Sequence, residues 1–201
     1  MRLTTVTQIS VDGVVQANGP SVEERRAGFE RDGWALAHFD DESAKFVDEV
    51  YQRAEAFLFG RWTFTKFAEY WGVMDPASSS IAGALNVKPK YVASNTLSAP
   101  CWAGTTILSG DLAAAIGELK ARPGGELQVH GSGALVRWLL DKQLVDEMDL
   151  LVVPVVVGQG ARLFPGSGRD VALGLIESRT FPKGVTLQVY QPAGPPPYVK
   201  G

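Results

Sequence analysis

Two spacings of apolar residues divide the chain into strands and helices. Leu3 to Ile9 is rich in β-branched residues and predicts a first strand, followed by a turn at Asp12-Gly13. Gln16 to Gly33 is polar and contains glycine, which predicts a long loop with room for one helical turn. From Asp41 to Ala54, apolar Phe46, Val50 and Ala54 recur every fourth position, the period of a helix with one buried face. Ala56 to Phe59 is a short apolar run ending at Gly60 and predicts a buried strand. Helices are expected over Thr63 to Tyr70 and Ser80 to Leu85, and strands over Lys90 to Ala93 and Thr105 to Leu108. Asp111 can cap a helix whose face holds Leu112, Ile116 and Leu119, and Pro123-Gly124-Gly125 stops it. A strand over Leu127 to His130 and a helix over Gly133 to Lys142 follow. Leu150 to Val157 is almost wholly apolar, as in a central strand covered on both faces, with a bulge or change of pairing expected at Pro154. Val185, Leu187 and Val189 alternate with Thr186, Gln188 and Tyr190, a pattern suited to antiparallel pairing.

Strands and helices that alternate and then give way to strands predict a three-layer α/β/α domain over residues 1–191. Its central sheet is mixed and mostly parallel, with antiparallel C-terminal strands. The last ten residues, 192–201, hold four prolines and two glycines and read as a tail, extended or disordered, with wrapping on a partner as a further reading.

Composition narrows the function classes. A chain of 201 residues, 45% apolar and 20% charged, builds one sizeable core. The net charge of −3 and the absence of a Lys/Arg run disfavour a nucleic-acid groove or an anionic membrane surface as partner. Cys101 is the sole cysteine and makes no internal disulfide, so a cytoplasmic setting is expected; it is read as a small buried or edge residue. No signal-peptide pattern opens the sequence, and no apolar stretch approaches the roughly 18 residues of a membrane span.

The strongest chemical signal is three similar strand ends. Gly60-Arg61-Trp62-Thr63 and Gly131-Ser132-Gly133-Ala134 each open a helix, and Ser94-Asn95-Thr96 follows the strand between them in sequence. A helix N-terminus offers unpaired N–H groups and a partial positive charge to a phosphate. Glycine lets backbone approach an anion closely, and Arg61 adds a fork of donors suited to a phosphate monoester. Taken singly, each turn is equally a tight connection, and Arg61 a solvated surface residue. Val136 stands where a Rossmann fingerprint needs a third glycine, no P-loop occurs, and His130 and Ala134 stand where a nucleophile elbow needs glycines.

The pieces Ile9-Ser10-Val11-Asp12-Gly13, Leu58 to Phe64, Lys90 to Ser94, His130 to Gly133, Leu144 to Glu147, Pro154 to Gly160 and Leu163-Phe164 occur in one order along nearly the whole chain. In this the chain resembles the reductase domain of bifunctional riboflavin-biosynthesis enzymes and related dihydrofolate-reductase-like proteins. The resemblance implies that fold, and NADPH with Arg61 near its 2′-phosphate, Ser94 and Thr96 near the adenosine, and Gly131 to Ala134 at the pyrophosphate. It places Asp12 to Val15 over the nicotinamide and makes a homodimer an expectation. Dihydrofolate reductases carry a buried carboxylate in the first helix; the nearest counterpart here is Asp32, which makes a pteridine substrate a poor fit. The His/Cys set of the deaminase half does not occur in these residues.

The expected activity is NADPH-dependent hydride transfer to a small heterocyclic or carbonyl substrate, with a riboflavin-pathway aminouracil as the specific version. The alternatives are an NADPH-binding module without turnover, a pteridine reductase, and a structural dimer that binds no nucleotide. Asp12 and Asp32 are the candidate catalytic residues, though both also suit a turn or loop. Asp12, Gly13, Trp34, Gly158 and Gly160 are the candidate substrate contacts, with Trp34 equally a core residue and the glycines equally plain turn residues. His38 with Asp40 and Asp41 matches no strong metal template, so no metal is expected. His130 reads as a packed residue at a strand end.

Overall fold

A computed structural model of the chain describes residues 1–19 and 28–199. The strands are β1 (Arg2–Ser10), β2 (Ala54–Gly60), β3 (Lys90–Ala93), β4 (Thr105–Leu108), β5 (Glu126–Val129), β6 (Glu147–Val153), β7 (Leu173–Thr180) and β8 (Thr186–Pro192). The helices are α1 (Asp41–Arg53), α2 (Arg61–Tyr70), α3 (Ser80–Val87), α4 (Leu112–Ala121) and α5 (Gly133–Asp141). One eight-stranded sheet has the order β4-β3-β2-β5-β1-β6-β8-β7. β1 to β6 pair in parallel, and β8 joins β6 and β7 antiparallel.

Apolar side chains on both faces explain the near-continuous hydrophobic runs of the central strands. On one face Leu3, Leu58, Leu127 and Val129 pack against Ile116 and Leu119 of α4 and Leu135, Val136 and Leu139 of α5. On the other, Val6 and Leu151 meet Phe46 and Val50 of α1, while Phe57, Phe59 and Val92 meet Phe64 and Ala68 of α2 and Leu85 of α3. Each fully buried Leu, Ile or Phe contributes about 1.5–3 kcal/mol of transfer free energy. The expected three-layer architecture with antiparallel C-terminal strands is therefore present.

Four expectations change. The strand expected over Leu150 to Val157 is β6, which begins at Glu147 and ends at Val153; Pro154 has no N–H to offer the ladder, so it terminates the strand instead of bulging it. β7 carried no sequence signal, because as an edge strand its residues from Leu175 to Thr180 are exposed and follow no apolar alternation. Cys101 is exposed rather than buried. Of the loop expected over Gln16 to Gly33, residues 20–27 lie outside the described residues. After it, a 3-10 turn spans Leu36–His38. The start of the expected tail pairs with the domain: Pro192 belongs to β8, Ala193 N donates to Ala172 O at 2.7 Å, and the Tyr198 hydroxyl donates to Asp170 at 2.7 Å. No described helix is long and apolar enough to cross a membrane.

Candidate active site

The parallel strands β2, β3 and β5 bring their carboxyl ends to one edge of the sheet. Ala93 at the end of β3 is register partner to Gly60, so the turns after β2 and β3 are neighbours. Gly60 N donates to Gly131 O at 3.4 Å, which joins the turns after β2 and β5. A β-carbon at position 60 would fall 2.7 Å from Ser132 Oγ, and one at 131 would fall 3.2 Å from Thr63 Oγ1. Gly131 also has φ +111°, which a side chain disfavours, and its peptide bond to Ser132 is cis. Arg61 Nη1 donates to Thr96 Oγ1 at 2.7 Å, tying the third turn to the first. Ser94 Oγ accepts from the N–H groups of Thr96 and Leu97, and Asn95 Oδ1 accepts from Gly110 N at 3.3 Å. The three sequence-distant turns are thus adjacent.

The helix caps differ across the molecule in a way that picks out this edge. Asp40, Ser79 and Asp111 each accept a first-turn N–H of α1, α3 and α4. Gly60 and Ser132, the N-cap residues of α2 and α5, supply no side-chain cap. Among the described α-helices, the two without a side-chain cap are those whose N-termini meet at the joined turns. Their first-turn donors keep the partial positive charge that attracts an anion.

Beside them lies a cavity of about 610 Å³. Its lining includes Gln8 of β1, Gln16 and Asn18 of the following loop, Tyr51 of α1, and Trp62, Thr63 and Lys66 of α2. His130, Gly131, Ser132, Gly133, Ala134 and Arg137 complete the wall on the β5–α5 side. Among the described residues the lining holds two cationic side chains, Lys66 and Arg137, and no Asp or Glu. Lys66 pairs with Glu69 at 2.8 Å and lies over the Trp62 ring, and Arg137 donates to Arg162 O at 3.0 Å. Both lie one helical turn after the glycine-containing turns, a spacing readable in the sequence but passed over there. Tyr51, Gln8 and His130 were also missed as lining residues. His130 stacks on Tyr51 with ring centroids 4.3 Å apart.

The candidates Asp12, Asp32, Gly13, Trp34, Gly158 and Gly160 stand outside this lining. Asp12 accepts from Ser10 Oγ at 2.7 Å, Val157 N at 2.9 Å and Gly158 N at 2.8 Å. Desolvation pushes its carboxyl up, but these hydrogen bonds to the ionised form outweigh it and hold the pKa at about 2. Such a group stays ionised and clamps the loop after β6. Gly158 is held by that clamp. Gly160 has φ +99°, and a β-carbon there would lie 2.6 Å from Phe29. Gly13 makes the turn after β1, with its N–H donating to Ser10 O at 2.9 Å. Trp34 is half-buried and its indole N–H donates to Gln16 O at 2.8 Å, so it braces a loop that lines the cavity. Asp32 is half-buried in the turn before it.

The model of the RibD C-terminal domain matches residues 2–187. The uncharacterized protein YyaP of Bacillus subtilis is 24% identical over 188 residues, covering 90% of each chain. A protein assigned to riboflavin biosynthesis in Shewanella sp. PV-4 superposes with a TM-score of 0.73 at 20% identity, over 96% of this chain and 99% of that one. The dihydrofolate reductase of Enterococcus faecalis, solved with NADP(H), superposes with a TM-score of 0.56 at 12% identity, over 95% and 96% of the chains. At these identities the superpositions show a shared fold.

Proposed function

This chain belongs to the RibD C-terminal domain family, and from that premise we propose that it is an NADPH-dependent reductase of a small heterocyclic or carbonyl substrate. The observation that carries the reading is the meeting of Gly60-Arg61, Thr96 and Gly131-Ser132-Gly133 at two uncapped helix N-termini beside one cavity. The donor set suits a dinucleotide. The α5 N-terminus and the close Gly60–Gly131 approach fit a pyrophosphate, Thr63 adds a hydroxyl, and exposed Arg61 suits a 2′-phosphate. That the Enterococcus relative was solved with NADP(H) supports the same cofactor.

Bound NADPH supplies a hydride, which no side chain can provide. The chain's own residues orient and enclose. Gln8, Gln16 and Asn18 offer amide groups to the reacting end, Tyr51 and Trp62 offer ring faces, and Ala134 allows close approach at the α5 start. The proton for the reduced product is supplied by an acid or by water at the cavity. The family match favours a sugar carbonyl or aminouracil compound, as in riboflavin biosynthesis, as the substrate class. The second reading is a cofactor-binding module without turnover, which steady NADPH oxidation with any such substrate would sink.

Calorimetric titration with NADPH and NADH tests the cofactor assignment. Arg61→Ala removes charge-assisted hydrogen bonds to a phosphate, about 1.5–3 kcal/mol at an exposed site, or roughly a ten- to hundredfold weaker NADPH. NADH binding should change by less than about twofold, within the error of such a comparison. Equal loss of both cofactors would remove Arg61 from this role.

A further inference from the structure

A chain of hydrogen bonds leading away from the cavity sets the protonation pattern of His130. Gln128 is fully buried on β5. Its Nε2 donates to Val50 O at 2.7 Å and to Glu126 Oε2 at 2.7 Å. Neither partner can donate. Glu126 is held as a carboxylate: burial pushes its pKa up, but Gln128, Arg53 and Arg2 together push it below the usual range. Arg2 Nη2 and Arg53 Nε reach Glu126 at 2.7 and 3.0 Å, and Arg53 Nη2 reaches Asp149 at 2.7 Å. Both amide hydrogens of Gln128 are therefore used, and only its carbonyl oxygen Oε1 remains to face His130 Nε2 at 3.0 Å. An amide oxygen accepts and never donates. The hydrogen in this contact must lie on His130 Nε2.

A neutral imidazole carries one N–H, so Nδ1 then holds a lone pair. Burial, with Arg53 acting in the same direction, pushes the His130 pKa down to about 3, so the ring stays neutral. The Tyr51 stack at 4.3 Å and the Phe57 ring at 5.8 Å hold its orientation. Among the described residues no hydrogen bond reaches Nδ1, and the atom is not sealed from solvent. His130 is a lining residue of the cavity, and we infer that the cavity is the space Nδ1 opens to.

We propose that His130 Nδ1 is a specificity-determining acceptor of this cavity, selecting a ligand group that donates a hydrogen bond, a ring N–H or a hydroxyl, and rejecting one that presents a lone pair there. Gln128 is the positioning residue that fixes the tautomer, and Glu126 fixes Gln128. His130 has no proton to give toward the cavity and takes no part as an acid. The ligand half of the proposal rests on reading the cavity as a substrate site; the tautomer does not.

Full-length protein labelled with 15N in its two histidines, His38 and His130, tests both halves by long-range proton–nitrogen correlation spectra. His130 should show one unprotonated Nδ1 and a protonated Nε2, unchanged from about pH 5 to 8. Gln128→Leu should lose the fixed pattern. The probes, with NADPH present, are 5,6-diaminouracil, which has N–H donors and no sugar hydroxyl, and ribitol 5-phosphate, which has the reverse. Whichever shifts the Nδ1 resonance identifies the donor. His130→Asn, which can place an amide oxygen near the Nδ1 position, should bind that probe within a few-fold of the original chain, whereas His130→Phe should bind roughly tenfold to a hundredfold more weakly. An Nδ1–H tautomer, or a His130 titration within that pH range, overturns the assignment. An Nδ1 signal that ignores both probes, or equal binding by the Asn and Phe variants, overturns the selector role. Failure to bind NADPH with the tautomer intact counts against the reductase reading alone.

Discussion

Removing the Asp12 carboxylate separates its role as a loop clamp from a role in chemistry. In Asp12→Ala the Val157 N–H, on a residue only 2% exposed, loses its acceptor inside the fold. A buried donor left unpaired costs about 1–3 kcal/mol. Gly158 N and Ser10 Oγ lose their partner too, but Gly158 is exposed and water can replace the carboxylate there, adding about 0.5–1 kcal/mol. The sum, about 1.5–4 kcal/mol, corresponds to a fall in Tm of roughly 3–16 °C for a domain of this size. Asp12→Asn keeps one acceptor oxygen and should lose about half as much. The pH dependence has a definite sign. A carboxyl whose folded pKa lies at about 2, below its ordinary value of 3.8, contributes stability that is present above pH 3.8 and lost as pH falls toward 2. Urea denaturation of the three proteins between those limits measures it. A loss below about 0.5 kcal/mol in Asp12→Ala, within the usual range of surface substitutions, would refute the clamp. An Asp12→Asn protein of near-normal stability whose NADPH oxidation is abolished would make Asp12 a catalytic group.

Other outcomes follow from single contacts. Gly160→Ala forces a side chain into φ +99° and within 2.6 Å of Phe29, so a loss above about 2 kcal/mol is expected by denaturant titration. Asp149 is raised to about 6, first by burial, then by Glu147 and Glu126, against the pull of Arg53. Its ionised form is therefore penalised in the fold: the penalty is complete above pH 6 and fades as pH falls toward 3.8. The original chain should gain up to about 3 kcal/mol relative to Asp149→Asn over that interval, and a flat difference in urea midpoints would contradict the assignment.

The sequence by itself determined the order and kind of nearly every element, because each helix and central strand buries a face whose period is written locally. Phe46 and Val50 on α1, the Asp111 cap of α4, and the continuous runs of β2 and β6 are all of this type. It also determined the three glycine- and hydroxyl-bearing turns, since a close backbone approach needs those residue types wherever it occurs. Tertiary structure decided what side-chain type leaves open. Residue type left Asp12 open between chemistry and a turn, and the fold adds a contact no local pattern shows: two of its three donors come from Val157 and Gly158, more than a hundred residues away. β7 was invisible because an exposed edge strand owes its place to its partner β8 and not to burial. His130 looked like packing and is a cavity wall with a fixed lone pair, because its tautomer depends on Gln128, Glu126 and two arginines that only the parallel register of β1 and β5 and the end of α1 bring together.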